Sequence, residues 1–244
     1  MTAEHYFVSD LHLFSRRSLA NQHMAALEET ARQAKTFVLG GDIFDFRWST
    51  LGDSNRTLAA AMKWLDDFVA INPACTFHFV LGNHDYNRRF IHALDELASG
   101  RENLMWHRCY LRIGNSMFLH GDIADKPAAN TSSLLLQRQR WLHDESRGRF
   151  ANWVYDMAIH ARLHHVAKLV NPNKRTAGRL WNYIELIGHG PQTGLQHVYF
   201  GHTHCAMLDF PYGGLHFHNG GAPMKGLRFH IVPVKLEGNT HHSE

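Results

Sequence analysis

The chain of 244 residues is 44% hydrophobic and 19% charged, with 25 Lys+Arg against 22 Asp+Glu for a formal net charge of +3. That composition excludes disorder, collagen and coiled coil, and the length allows a buried core in a single domain, 1–244, with room for an insertion. The longest apolar run, Leu58 to Met62, has five residues, far short of the ~20 of a membrane-spanning helix.

His5–Leu11 reads as a strand ending in Ser-Asp-Leu-His, Leu19–Ala34 as a helix, and Thr36–Asp42 as a buried strand that stops at glycines and an acid. Ser54 is placed to cap a helix that Asn72-Pro73 ends. Cys75–Asn83 is a third strand, followed by a helix near Arg88–Ala98. Strand–helix–strand repetition predicts a largely parallel sheet covered by helices. From Leu104 strands follow one another: Leu104–Tyr110 and Leu111–His120, with a turn at Gly114-Asn115. A stretch of helical spacing, about 128–187, then interrupts the pattern, with Phe150, Trp153, Met157 and Ala161 on one face. Strand patterns return at His197–His204, Leu208–Tyr212, Leu215–Asn219 and Leu227–Leu236. The expected fold class is α/β with two sheets and a helical insertion.

The N-terminal Met-Thr-Ala-Glu-His-Tyr lacks the basic and apolar regions of a signal peptide, so a cytoplasmic location is expected. Cys75, Cys109 and Cys205 are odd in number and without CxxC spacing, which argues against a disulfide framework or a thiolate zinc site. Histidine is abundant, 21 residues. Charge is uneven: Lys126 to Asn182 holds ten Lys+Arg and three Asp+Glu, a net of +7, while the rest of the chain is net −4. A basic segment on a neutral-to-acidic body faces either an anionic partner or solvent.

Five motifs follow predicted strands and stop at metal-ligand side chains: Asp10-Leu-His12, Gly41-Asp42-Ile-Phe-Asp45, Gly82-Asn83-His84-Asp85, His120-Gly-Asp122 and Gly201-His202-Thr-His204. The carboxyl ends of strands are where α/β folds build their sites. Any one motif is equally a turn; all five at strand ends are hard to assign to turn chemistry. Carboxylate, imidazole and amide oxygen without thiolate suit Mn²⁺, Fe or Zn²⁺ and give no Ca²⁺ cage. The candidate ligands are too many for one ion that must keep a position open, so two divalent ions sharing a carboxylate fit better.

In order and spacing these motifs resemble those of the calcineurin-like metallophosphoesterases. The resemblance spans roughly residues 5–125 and 195–236 and implies a two-sheet αββα sandwich. It also implies that Asp10, His12 and His204 hold one metal and Asn83, His120 and His202 the other, with Asp42 bridging. Manganese is the first expectation, iron or zinc the alternatives. Two such cations clamp a phosphoryl group and hold a bridging water whose lowered pKa supplies hydroxide. The family counterpart of His84 lies beside the leaving group as an acid or charge stabiliser, and Asp45 resembles the acid that orients it; the local alternative for Asp45 is a loop cap.

Two features resemble the UDP-2,3-diacylglucosamine hydrolase branch: the aromatic run Gly41 to Trp48 and a basic helical insertion between His120-Gly-Asp122 and Gly201-His202-Thr-His204. In that branch the insertion is a lid over the acyl chains of a lipid-linked nucleotide, whose pyrophosphate is cleaved to UMP and the lipid 1-phosphate at the inner face of the membrane. Here Trp141, Phe150, Trp153, Val154 and Met157 would be its apolar face, with Arg138, Arg140, Arg147, Arg149, Lys168, Lys174 and Arg175 as cations near the phosphates. Half or more of the aromatics fit simple packing instead. The basic amphipathic segment also favours peripheral contact with an anionic membrane. Arg88 and Arg89 open a helix after Gly-Asn-His-Asp, where side chain and dipole together bind phosphate. The alternatives are a phosphodiesterase or nuclease, with the +7 segment on a nucleic-acid backbone, and a non-catalytic scaffold, against which the full ligand set speaks.

Overall fold

A computed structural model describes residues 4–142, 173–237 and 241–243. In chain order its main elements are β1 (His5–Val8), α1 (Met24–Gln33), β2 (Thr36–Leu39), α2 (Ser54–Ala70), β3 (Thr76–Val80), α3 (Arg88–Ser99) and β4 (Leu104–His107). They continue with β5 (Tyr110–Ile113), β6 (Ser116–Leu119), α4 (Thr131–Arg138), α5 (Asn173–Leu186), β7 (His197–Phe200), β8 (Met207–Tyr212), β9 (Leu215–Asn219), β10 (Val232–Pro233) and β11 (His241–Ser243).

The strands form two sheets, ordered β10-β1-β2-β3-β4 and β11-β5-β6-β7-β9-β8. β1 to β4 are parallel, as are β6, β7 and β9. Side-chain alternation sorts the first sheet: in β2, Phe37 and Leu39 pack with the helices while Val38 faces the second sheet. Between the sheets lie Phe7, Val38, Val80, Leu111, Phe118 and Tyr199, with the Phe118 and Tyr199 rings stacked at 5.1 Å.

α2 buries Thr57, Ala61, Leu65, Phe68 and Val69, one helical face, and Asp53 caps it by accepting from the Arg56 amide. The cap is thus one residue before the expected Ser54. Asn87 caps α3 in the same way, and Phe90 and Leu94 are that helix's buried residues. On the second sheet α5 packs through Ala177, Leu180, Tyr183 and Ile184. The C-terminal part of the stretch read as an insertion therefore supplies an outer layer of the sandwich. Arg147, Arg149, Phe150, Trp153, Val154, Met157 and Lys168 lie outside the described residues.

Two boundaries differ from the sequence reading. The helix expected from Leu19 opens with a 3-10 turn, Ala20–His23, before α1. The long strand expected over Leu227–Leu236 shrinks to β10, since Pro233 has no amide to donate and is tolerated only at the sheet edge that β10 occupies. Among the described residues, no helix is long and apolar enough to cross a membrane.

Candidate metal centre

All five motifs emerge at the carboxyl ends of parallel strands: β1, β2 and β3 of one sheet, β6 and β7 of the other. Among the described residues seven non-glycine positions have positive φ, and five of them are Asp10, His12, Asp42, His202 and His204. Left-handed backbone is disfavoured for such residues and persists where surroundings enforce it, typically at functional sites. Here the loops hold each other. Asp10 and His12 amides donate to the Gly41 and Asp42 carbonyls, at 3.0 and 2.9 Å. The His202 amide donates to the Asp10 carboxylate at 2.9 Å, and the His84 amide to Asp42 Oδ1 at 2.8 Å. Gly82 and Gly201 permit this approach, because a Cβ at either would collide with the carboxylate of Asp42 or Asp10.

The side chains gather in two groups. In one, His12 Nε2 and His204 Nε2 are 3.1 Å apart, and Asp10 Oδ1 lies 3.5 Å from His204 Nε2. In the other, His120 Nε2 is 3.1 Å from Asn83 Oδ1 and 3.2 Å from His202 Nδ1. Asp42 Oδ2 faces both, 3.2 Å from His120 Nε2 and 3.9 Å from His12 Nε2. Donors at about 2.0–2.2 Å from a shared cation stand roughly 3.0–3.4 Å from each other, so these separations and this nitrogen–oxygen set fit two divalent ions. Residues of both groups, Asp10-His12-His204 and Asp42-His120-His202, are close enough to hold a metal.

The electrostatics agree. Burial works to raise the Asp42 and Asp10 carboxyls, but the neighbouring imidazoles hold both below the usual range, Asp42 well below. Burial works to lower His120, yet Asp42 and Asp10 bring it up to about 9. The nest keeps its acids ionised and draws positive charge to its imidazoles.

His84 stands beside this nest. Its Nδ1 is 3.1 Å from Asp45 Oδ1, while Asp45 Oδ2 lies 3.6 Å from His12 Nδ1, so one carboxylate bonds to His84 and lies close to His12 without a hydrogen bond to its buried Nδ1. Burial works against the charged His84 ring, and Asp42, Asp45 and Asp85 raise it to about 9. The His12 ring meets His84 edge-on at 4.9 Å, and the Trp141 indole lies against it at 5.0 Å. The local alternative for Asp45, a loop cap, is also realised: its Oδ1 accepts from the Trp48 amide at 2.9 Å.

Several contributing residues escaped sequence reasoning. Asp85 is buried and accepts from the Ile43, Phe44 and Gly82 amides at 3.3, 2.9 and 3.3 Å, locking two ligand loops together; burial and the Asp42 charge push it up to about 7. Asp125 Oδ2 is 2.9 Å from His202 Nε2 and fixes the ring that offers Nδ1 to the second group. Asn219 Nδ2 donates to the Gly201 carbonyl at 2.9 Å. An open pocket adjoins the second group, lined by Asn83, His202, Asp125, Lys126, Arg140 and Trp141 among others. Arg88 and Arg89 are exposed at the start of α3, Lys174 and Arg175 at the start of α5, and none of the four lines this pocket.

The histidine excess divides by place. His12, His84, His120, His202 and His204 build the centre, whereas His78 pairs with His107 at 3.1 Å and His197 with His218 at 3.2 Å in the interior. His189 joins Tyr110 and Arg112.

A two-sheet α/β sandwich with such a nest at its strand ends is the architecture of a metallohydrolase. The calcineurin-like phosphoesterase family matches residues 6–206, and the chain belongs to that family. It is a metal-dependent phosphoester hydrolase. No curated protein matches the chain. Among solved structures, it is similar to the phosphopantetheinyl hydrolase from Mycobacterium tuberculosis, with 15% identity, 90% of each chain covered and a TM-score of 0.47. It is also similar to a dimetal phosphatase from Danio rerio, with 13% identity, 92% of this chain and 89% of that chain covered, and a TM-score of 0.43.

Proposed function

We propose that Asp10, His12 and His204 hold one divalent cation and Asn83, His120 and His202 a second, bridged by Asp42, in an enzyme that hydrolyses phosphoesters or pyrophosphates. Manganese is our first choice of metal, with iron or zinc as alternatives. Bound there, two such cations neutralise phosphoryl oxygens and make water nucleophilic near neutral pH. The observation that carries the reading is Asp42 Oδ2 facing both donor groups, with His84 and its Asp45 partner alongside.

The chain's own residues do the rest. Asp45 holds His84 Nδ1 and leaves Nε2 to face the leaving oxygen. As the oxygen of water bonds to phosphorus and the ester P–O bond breaks, His84 gives its proton to the departing oxygen. The His12 and Trp141 rings keep that imidazole in place.

For the substrate we favour a phosphorylated or lipid-linked nucleotide of the UDP-2,3-diacylglucosamine kind, cleaved to UMP and a lipid 1-phosphate by a cytoplasmic enzyme touching the inner membrane surface. The net +7 of Lys126 to Asn182 supports it, with Arg88, Arg89, Lys174 and Arg175 as candidate contacts to substrate phosphates. Mn²⁺-reconstituted protein would be given UDP-2,3-diacylglucosamine and followed by phosphorus NMR, beside bis-p-nitrophenyl phosphate. Release of UMP is expected. Turnover of bis-p-nitrophenyl phosphate alone keeps the metal chemistry and removes the lipid, turning the search to nucleotides and nucleic acid; silence on both overturns the proposal.

A further inference from the structure

One short stretch of chain reaches His84 twice. Asp45, in the loop after β2, has Oδ1 3.1 Å from His84 Nδ1, and the same oxygen accepts the Trp48 amide. Two residues on, the Arg47 guanidinium lies 4.8 Å from the centre of the Trp141 ring and 5.7 Å from that of Trp48. Both distances fall within the ~6 Å over which a cation is drawn to an aromatic ring. Trp141 in turn meets the His84 ring with centroids 5.0 Å apart and planes at 41°. Asp45 to Trp48 therefore touches the imidazole directly through a carboxylate, and indirectly through a guanidinium and an indole.

Trp141 ends the 3-10 turn Gln139–Trp141 that follows α4. The backbone of this turn is pinned on both sides: Arg138 is bonded to Asp122, and the Leu142 carbonyl accepts the Arg88 amide at 3.2 Å. The indole itself is half-buried, so its side-chain torsions are what remains to be fixed. Arg140 also lies 5.5 Å from the ring centre, but it belongs to the same turn and moves with it. Arg47 comes from another part of the fold, in a loop tied at both ends to the one after β1. The Asp45 amide donates to the Leu13 carbonyl at 3.0 Å, and the Thr50 amide to the Phe14 carbonyl at 2.9 Å. A single hydrogen bond at Nδ1 restrains one edge of the His84 ring; a neighbouring ring held in place restrains the tilt that would swing Nε2.

We propose that Arg47 is a positioning residue for the hydrolysis: by holding the Trp141 indole against His84, it aims the imidazole Nε2 at the leaving oxygen. This rests on the reading of His84 as the acid and adds the residue that keeps the acid in line. Arg47 acts through Trp141, without contact to the reacting atoms. Alignment of this kind is worth a measurable share of the rate, because a displacement of about 1 Å in a reacting group can cost on the order of a hundredfold. The planar guanidinium suits the role, since it stacks on aromatic rings better than an ammonium does.

The test uses methyl p-nitrophenyl phosphate and methyl phenyl phosphate with the full-length Mn²⁺-loaded protein. The two esters differ only in the leaving group: p-nitrophenolate departs with little help from an acid, phenolate needs one. Arg47→Met should lower kcat about tenfold on the phenyl ester and by about threefold at most on the p-nitrophenyl ester, with KM and metal content unchanged. His84→Ala should itself lose more on the phenyl ester, and adding Arg47→Met to it should cost nothing further on either ester. Arg47→Lys should keep part of the lost kcat, and Arg47→Gln gives a second reading of the loss should the methionine variant differ from the unchanged protein in circular dichroism. Equal losses on both esters, or a further loss in the His84→Ala background, would show Arg47 acting on the fold or the metal donors. A rise in KM at constant kcat would place it on the substrate. Each of these overturns the proposal and leaves the hydrolase reading standing. Equal losses on both esters in His84→Ala alone remove the acid and its positioning residue together. No turnover of either ester by the unchanged protein removes the hydrolase reading as well.

Discussion

Arg138 closes two hydrogen bonds on Asp122, at 2.7 and 2.8 Å, and gives its remaining terminal nitrogen to the carbonyls of Leu81 and Arg108. Asp122 follows the proposed ligand His120 by two residues, and Leu81 precedes the proposed ligand Asn83 by two. One fully buried guanidinium therefore ties the end of α4 to two of the loops that carry the proposed metal donors. Burial works to raise the Asp122 carboxyl, but Arg138 holds it down at about 2; the same partner raises Arg138 against its own burial.

Removing one member of such a pair leaves a buried charge without compensation, so Arg138→Met should destabilise the protein by about 3–5 kcal/mol. Replacing Asp122 with Leu in the same chain should recover part of the loss. The pH dependence has a definite sign. Asp122 has a depressed folded value, so its contribution is present above the ordinary carboxyl range near pH 4 and fades as pH falls toward 2. Urea titrations at pH 7 and below pH 4 should show the gap between wild type and variant narrowing in acid. A constant gap would mean that packing, not the ion pair, is what was lost.

Asp42→Ala should remove the second ion as well as the first, because Oδ2 faces His120 and His12 together. Elemental analysis of the purified variant is expected to find less than one metal per chain, against two in wild type loaded with Mn²⁺. A variant that still held two ions would place the bridge on another residue. The Asp42 carboxylate also accepts the His84 amide, so activity should vanish by both routes.

His84→Ala should leave metal content unchanged and lower kcat by about 10²–10⁴, the usual size of a lost acid–base group. Asp45→Asn should do less to kcat but should also weaken metal affinity, since the carboxylate reaches His12 as well as His84. If His84→Ala lost metal to the same degree as Asp42→Ala, the histidine would be a ligand and not an acid.

The proposed donors could be singled out in the sequence because each lies within two residues of a glycine or another candidate donor at a strand end, and strand ends are where loops converge. What sequence could not rank was charge away from those motifs. Arg138 is one of ten basic residues between Lys126 and Asn182, and only the fold brings its guanidinium onto Asp122. Arg88 and Arg89 stand exposed at the start of α3, where Asn87 already accepts from the Arg89 and Phe90 amides, so a phosphate there would meet their side chains and not those amides. Asp85 reads as one more acid of its motif until its carboxylate is seen receiving three amides from two loops. Trp141 had only its place on an apolar face to recommend it. Its contact with His84 joins residues far apart in the chain, and hydrophobic periodicity carries no trace of that.

Metal binding should release protons. Without metal, Asp42 and Asp10 lift His120 to about 9, so near neutral pH that imidazole carries a proton where its nitrogen must be bare to bind an ion. His120 has a raised value, so its proton is held below pH 9 and is already gone above it. Calorimetric titration of metal-free protein with Mn²⁺ in two buffers of different ionisation enthalpy should therefore give at least one proton released per chain at pH 7, falling toward zero above pH 9. The apparent affinity should rise with pH over the same interval. A proton count that stays at zero across the range would show the imidazole to be neutral already, and the acidic nest to be less dominant than its buried carboxylates imply.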